Sequence, residues 1–232
     1  EGMRGKRSVE WNLIDELVAR SQFDDAVAAR AREFAAQTDR PADARGVTLT
    51  PLTVEYGDDR IVYDHITIHI DRTLNVANFT VNGPTEAPPA DAAGVAALGV
   101  DFWPFAFARE LDDAIVYLRL NENELGTWVF RSKGDNALVE AHDKLLEANQ
   151  DDWLGREITL YLKRSLKRVD VSSRSLITLI EPGSCFTGTL LEFALISDRS
   201  YMLDGTFEGS NLPAPSVRMT AMNFGPYPMS NG

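Results

Sequence analysis

The hydrophobic pattern changes period along this chain, and the changes mark its elements. From residue 61 the period is two: Ile66, Ile68 and Ile70 alternate with polar neighbours, and VANFTV at 76–81 alternates again after a polar stretch at 71–75. Alternation places successive side chains on opposite faces of a strand, so the two runs predict a β-hairpin, closed by Asn82-Gly83-Pro84. Residues 105–119 have apolar positions at helical spacing, as do 137–148 and 151–169. Short apolar runs at 126–131, 175–180 and 199–203 read as strands, with a further short strand at 217–219. Strands alternating with helices predict an α/β layer with a mainly parallel sheet.

Upstream, residues 1–38 read as helical, with a break near 18–22 and an Ala-rich amphipathic stretch over 23–36. DRPADARG at 39–46 combines Pro, Gly and charge and reads as a linker that runs on through weakly patterned sequence to Arg60. The Ala/Pro-rich stretch 86–99 reads as an irregular connection.

The segment 180–198, IEPGSCFTGTLLEFALISD, holds the densest candidate chemistry. A strand enters a loop containing Gly183 and Gly188, and a helix with one acid, Glu192, follows. Such a loop aims backbone N–H groups at one point and favours negative charge there. An enzyme that forms an enolate needs this arrangement with an acid or base beside it. Glu192 reads either as that acid/base or as a residue that merely favours a helix N-terminus. Cys185, the single cysteine, reads as a small buried hydrophobe or, with a base beside it, as a nucleophile. Trp103, Trp128 and Trp153 read as packing residues.

Charge and composition narrow the partners. The 232 residues carry a net charge of −12 and no basic stripe with interleaved aromatics, so nucleic acid is not an expected partner. No apolar run reaches the ~20 residues of a membrane span. One cysteine excludes an internal disulfide and suits a cytoplasmic protein. Lys163, Arg164, Lys167 and Arg168 form a solvated face with acid partners or a site for an anionic ligand. His65 and His69 share a strand face, as an exposed polar surface or a metal pair; no metal is expected, and His142 stands alone.

The order of elements over 61–232 resembles the front of a crotonase (enoyl-CoA hydratase/isomerase) unit. NVANFTVNGP resembles that family's opening strand pair, ELDDAIVYLRLNE its first helix, and TWVFRSKGD the strand entering its first oxyanion loop. IEPGSCFTGTLLEFALISDRSYML resembles its second oxyanion loop, helix and next strand. EGMRGKRSVEWNLIDELV and FDDAVAARAREFAAQ resemble the end of such a unit. The resemblance therefore implies the C-terminal helical tail of a first unit at 1–38, a linker at 39–60 and the front of a second unit at 61–232, cut from a longer chain. The fold implied is α/β, of the repeated β-β-α type shared by ClpP and crotonase. The strings DVSSRSL, IEPGSCF, DRSYMLD and NFGPYPM narrow the resemblance to family members that open the oxidised ring of a benzoyl-CoA derivative by hydrolysis, releasing formate and an aliphatic semialdehyde thioester.

The resemblance also implies roles. The substrate would be an acyl-CoA thioester, with no cofactor beyond the CoA it carries, and the protein a homo-oligomer, a dimer. The second oxyanion donor falls at the Thr189 N–H beside Gly188, and the first near 137–141. Glu192 matches the first family carboxylate, and the second falls at Ala221, which cannot move a proton; Glu208 lies nearby in sequence. Either this unit is a working thioester site, or it is a diverged structural copy and the working site lies in the first unit.

Overall fold

A computed structural model of the chain describes residues 2–39 and 43–227. It divides into two compact units, Glu1–Gly46 and Val47–Gly232.

In the smaller unit, α1 spans only Lys6–Glu10, and the helix expected to run on to residue 18 stops there. Asn12 is the cause. It adopts φ 54, and Leu13 N–H and Asn12 N–H turn back to the carbonyls of Ser8 and Val9, a Schellman closure of the helix C-terminus. A 3-10 turn at Arg20–Gln22 then leads into α2, Phe23–Ala36. No residue of α2 is buried within the unit, and Phe23, Val27 and Phe34 are exposed. The proposed linker 39–46 falls partly outside the described residues.

The larger unit is built on one seven-stranded sheet in simple sequence order: β1 (Val54–Tyr56), β2 (Arg60–Tyr63), β3 (Ile66–Asp71), β4 (Val76–Asn82), β5 (Thr127–Lys133), β6 (Ser175–Ile180) and β7 (Arg199–Met202). The segment 47–60, expected as linker, belongs to this unit and supplies β1. The sheet is also not mainly parallel. β1 to β4 form an antiparallel meander, and β4 to β7 are parallel. Connections of two to four residues join the first four strands, too short for the crossover that parallel pairing needs.

The crossovers carry the helices. Between β4 and β5 lie α3 (Ala92–Leu98) and α4 (Trp103–Asn121). The stretch 86–99 is thus not wholly irregular: Asp91 caps α3 by accepting the Gly94 N–H at 2.9 Å, and its alanines propagate the helix. Between β5 and β6 lie α5 (Asn136–Ala148), capped by Asp135, and α6 (Trp153–Asp170), capped by Asp152. Phe107, Leu111, Ala114, Ile115 and Leu118 turn one face of α4 into the core, and Leu154, Ile158, Leu162, Leu166 and Val169 do the same for α6. The sheet contributes Ile66, Ile68, Phe79, Trp128 and Phe130 to the same core.

The helix after β6 is shorter than its amphipathic pattern suggests. α7 spans five residues, Glu192–Ile196, with the residues just before it in turns. Phe193 anchors it, stacked on Phe130 at 4.7 Å and edge-on to Phe107 at 6.2 Å. At 217–219 there is a single bridge, Thr187 to Arg218, in place of a strand. No helix among the described residues is long and apolar enough to cross a membrane.

Candidate functional site

The site grows from the C-terminal ends of β5 and β6. β6 delivers the chain into a turn in which Ser184 N–H returns to Glu181 O and Ser184 Oγ accepts the Glu181 N–H at 3.0 Å. Cys185 N–H is held by Ser132 Oγ of β5 at 3.0 Å. Thr187 O–H donates to Asn136 Oδ1 at 2.6 Å, and Gly188 N–H donates to Arg218 O at 3.0 Å. Three neighbouring segments, β5, the start of α5 and the stretch around Arg218, therefore fix the loop before it reaches Thr189.

Gly188 has φ +46, and its missing side chain is essential. A Cβ there would stand 1.6 Å from Asp143 Oδ2 and 2.6 Å from Thr220 Oγ1. Left-handed backbone and close approach both demand glycine at this position. The group that approaches is the carboxylate of Asp143, from the middle of α5. Thr189 N–H donates to Asp143 Oδ2 at 2.9 Å, Thr189 O–H to Oδ1 at 2.5 Å, and Thr220 O–H to Oδ2 at 2.7 Å. Tyr227 O–H lies 2.6 Å from Thr189 Oγ1. The Thr189 proton is committed to Asp143, so Tyr227 supplies the proton of that bond. Every partner of the Asp143 carboxylate is thus a donor.

The resemblance implies a substrate oxyanion donor at the Thr189 N–H. That N–H points at Asp143. The other expected donor region, 137–141, lies inside the first turns of α5. Ala137 N–H is bonded to Asp135 Oδ1 at 2.7 Å, and Val139 N–H to Asp135 O.

Glu192 stands directly behind the turn and is 0% exposed. Its Oε1 accepts from Asn223 Nδ2 at 2.6 Å, and the same amide donates to Gly188 O at 2.9 Å. Asn223 also forms a capping box with Thr220 around the 3-10 turn Ala221–Phe224. Ala221, where a second carboxylate is expected, is exposed, and so is Glu208. Sequence reasoning passed over Asp143, Asn223 and Tyr227. The available signal was Asp143 itself, an acid between Val139 and Leu146 on the buried face of an amphipathic helix.

Electrostatics follow burial. Asp143 is held up to about 6, from 3.8, because burial outweighs the bonds from Thr189 and Thr220. Burial also raises Tyr227 well above the ordinary tyrosine value. Cys185 is buried and pushed up to about 11 by burial, which suits the packing reading and leaves little thiolate for attack. His142 is buried against Phe102 and Trp103 and bonded through Nδ1 to Leu138 O, and burial pushes its pKa below the ordinary histidine value.

The basic face of α6 is largely paired. Arg168 and Arg164 both reach Asp112, and Lys167 meets Asp170 at 2.7 Å. Trp103 and Trp128 are buried, whereas Trp153 is partly exposed on a concavity of about 490 Å³ with Val47, Phe105 and Tyr161. His69 lies on the face of β3 opposite its buried isoleucines, whereas His65 falls in the bend before β3, and no cluster of three His, Cys, Asp or Glu fit for a metal occurs among the described residues.

No family model matches the chain. Among solved structures, an enoyl-CoA hydratase from Geobacillus kaustophilus HTA426 is 16% identical, with a TM-score of 0.42 over 62% of this chain and 47% of that one. Pseudomonas aeruginosa DspI is 15% identical, with a TM-score of 0.43 over 76% of this chain and 59% of that one. A protein of Aromatoleum evansii, benzoyl-CoA-dihydrodiol lyase, is 46% identical over all 232 residues, a stretch that spans 41% of its own length. From end to end, then, this chain is similar in sequence to a part of benzoyl-CoA-dihydrodiol lyase.

Proposed function

We propose that the chain is part of a crotonase-type, CoA-dependent lyase that opens the oxidised ring of a benzoyl-CoA derivative, and that the unit described above contributes structure to it. The observation that carries the first half is the 46% identity along the whole chain to a protein named benzoyl-CoA-dihydrodiol lyase. The substrate is an acyl-CoA thioester, the reaction a hydrolytic ring opening that releases formate, and the working protein a cytoplasmic homo-oligomer. The enzyme needs no cofactor beyond the CoA of its substrate.

The non-catalytic role of this unit is supported by its closed turn. The Thr189 N–H, which a thioester oxygen would require, is bonded to Asp143, and Ala221 replaces the second carboxylate. A working site needs donors aimed at a place the reacting oxygen can occupy. The competing reading, a working site in this unit, is favoured by one feature: Glu192 lies directly behind the Gly188 turn, joined to it through Asn223.

One assay separates the readings. In the full-length protein, Glu192→Ala should lower ring opening of the CoA substrate by less than about tenfold, which is ~1.4 kcal/mol in the barrier. A loss of several orders of magnitude would make this unit catalytic. Hydration of a simple 2-enoyl-CoA, with no formate released from the ring substrate, would point instead to an ordinary hydratase.

A further inference from the structure

We propose that the Gly188–Thr189 turn is a carboxylate cradle whose occupant is the chain's own Asp143, so that the turn is closed to any anion from outside. The inference deepens the reading of this unit as non-catalytic and rests on it for its consequence, a site silenced by a built-in ligand.

Four observations converge. The cradle presents three donors to one carboxylate, Thr189 N–H, Thr189 O–H and Thr220 O–H, and offers it no acceptor. That inventory matches an ionised carboxylate and would leave a neutral amide with badly placed N–H groups. The Tyr227 hydroxyl feeds the same chain through Thr189, so its dipoles all run toward Asp143. Gly188 leaves open the space that the carboxylate fills. Finally, Asp143 sits at a position of α5 where the neighbouring turns place Val139 and Leu146 in the core. An apolar residue there would continue the helix pattern but strand the Thr189 N–H in a buried place.

Asp143 is carried by the interior of a thirteen-residue helix, not by a loop. Turning its carboxylate aside would break the bonds from Thr189 N–H, Thr189 O–H and Thr220 O–H together, which is what holds the turn closed. The cradle's chemistry remains that of a small-carboxylate site, and removing the side chain should expose it.

The test is chemical rescue in the full-length protein. Asp143→Ala keeps the helix and empties the cradle. Its melting temperature should fall, and should recover in a saturable way with sodium formate but not with sodium chloride at matched ionic strength. Wild type and Asp143→Asn, whose cradles are filled, should not respond to formate. The proposal is overturned if formate and chloride act alike on Asp143→Ala, or if all three proteins respond equally. Should Asp143→Ala fail to fold, hydrogen exchange of the Thr189 amide in Asp143→Asn decides the matter. Loss of the charged acceptor should speed that exchange by about tenfold or more near neutral pH, and unchanged protection sinks the idea.

The two readings fail separately. Formate rescue together with a catalytic Glu192 would keep the cradle and discard the silent unit. No rescue, with Glu192→Ala nearly as active as wild type, would do the reverse.

Discussion

Glu192 and Asn223 meet at 2.6 Å in a fully buried pair, and the same Asn223 amide holds the carbonyl of Gly188. One side chain thus fastens both the acid and the turn in front of it. Asn223→Ala removes two buried hydrogen bonds and the reciprocal cap with Thr220. Leaving buried polar partners unmatched costs ~1–3 kcal/mol each. Chemical denaturation should show a loss of about 2–4 kcal/mol, and a loss under about 1 kcal/mol would mean that neither bond matters in solution.

Gly188→Ala should be more damaging than a glycine substitution in an ordinary turn. The left-handed backbone alone costs about 1 kcal/mol for a residue with a side chain. The added Cβ would also collide with the Asp143 carboxylate, which can retreat only by giving up its bonds to Thr189 and Thr220. An unfolding free energy lowered by about 3 kcal/mol or more is expected. Pairing the change with Asp143→Ala should recover part of that loss, because the nearer obstacle is then gone and only Thr220 Oγ1 still crowds the new Cβ.

Stability should fall as pH rises through the mildly acidic range. Asp143 is held up to about 6 and Glu110, which is buried and accepts the His65 N–H, is pushed up to about 7, burial being the main cause in both. A carboxyl raised in the folded state binds its proton more tightly there than in the unfolded chain. Its contribution is therefore full below the unfolded value near 4 and is lost as pH passes the folded value. This is the opposite sign to a salt-bridged carboxylate. For Asp143 the whole effect is about 3 kcal/mol, of which about 1 kcal/mol falls between pH 5 and pH 8. Urea titrations at those two pH values should show wild type losing that much relative to Asp143→Asn, which has no proton to release there. An equal change in both proteins would assign the dependence elsewhere.

The parts of the fold that are legible in the sequence are those with a local cause. Alternation at 66–70 and 76–81 is enough for β3 and β4, and the apolar stripes of α4, α5 and α6 specify those helices within a few residues. α3 is hidden because neighbouring prolines mask a short alanine helix that depends on the Asp91 cap. α1 ends early because Asn12 turns left-handed, a choice that helical spacing does not encode. In the candidate site, the loop and the place of Glu192 are legible from Gly188 and the strand before it. The occupation of Thr189 is not, because it depends on a helix position 46 residues earlier and on a threonine 77 residues beyond Asp143.

Those separations bear on how the molecule assembles. Asp143 joins Thr189 and Thr220 only by closing long stretches of chain, and each closure restricts chain entropy before any bond forms. Local helices and the β3–β4 hairpin need no such closure. The acid at position 143 must therefore wait, exposed to water and charged, until β6 has paired beside β5 and the distant Thr220 segment has arrived. A carboxylate that accepts three hydrogen bonds thus belongs to the slow, non-local stage of folding, where contact order sets the rate.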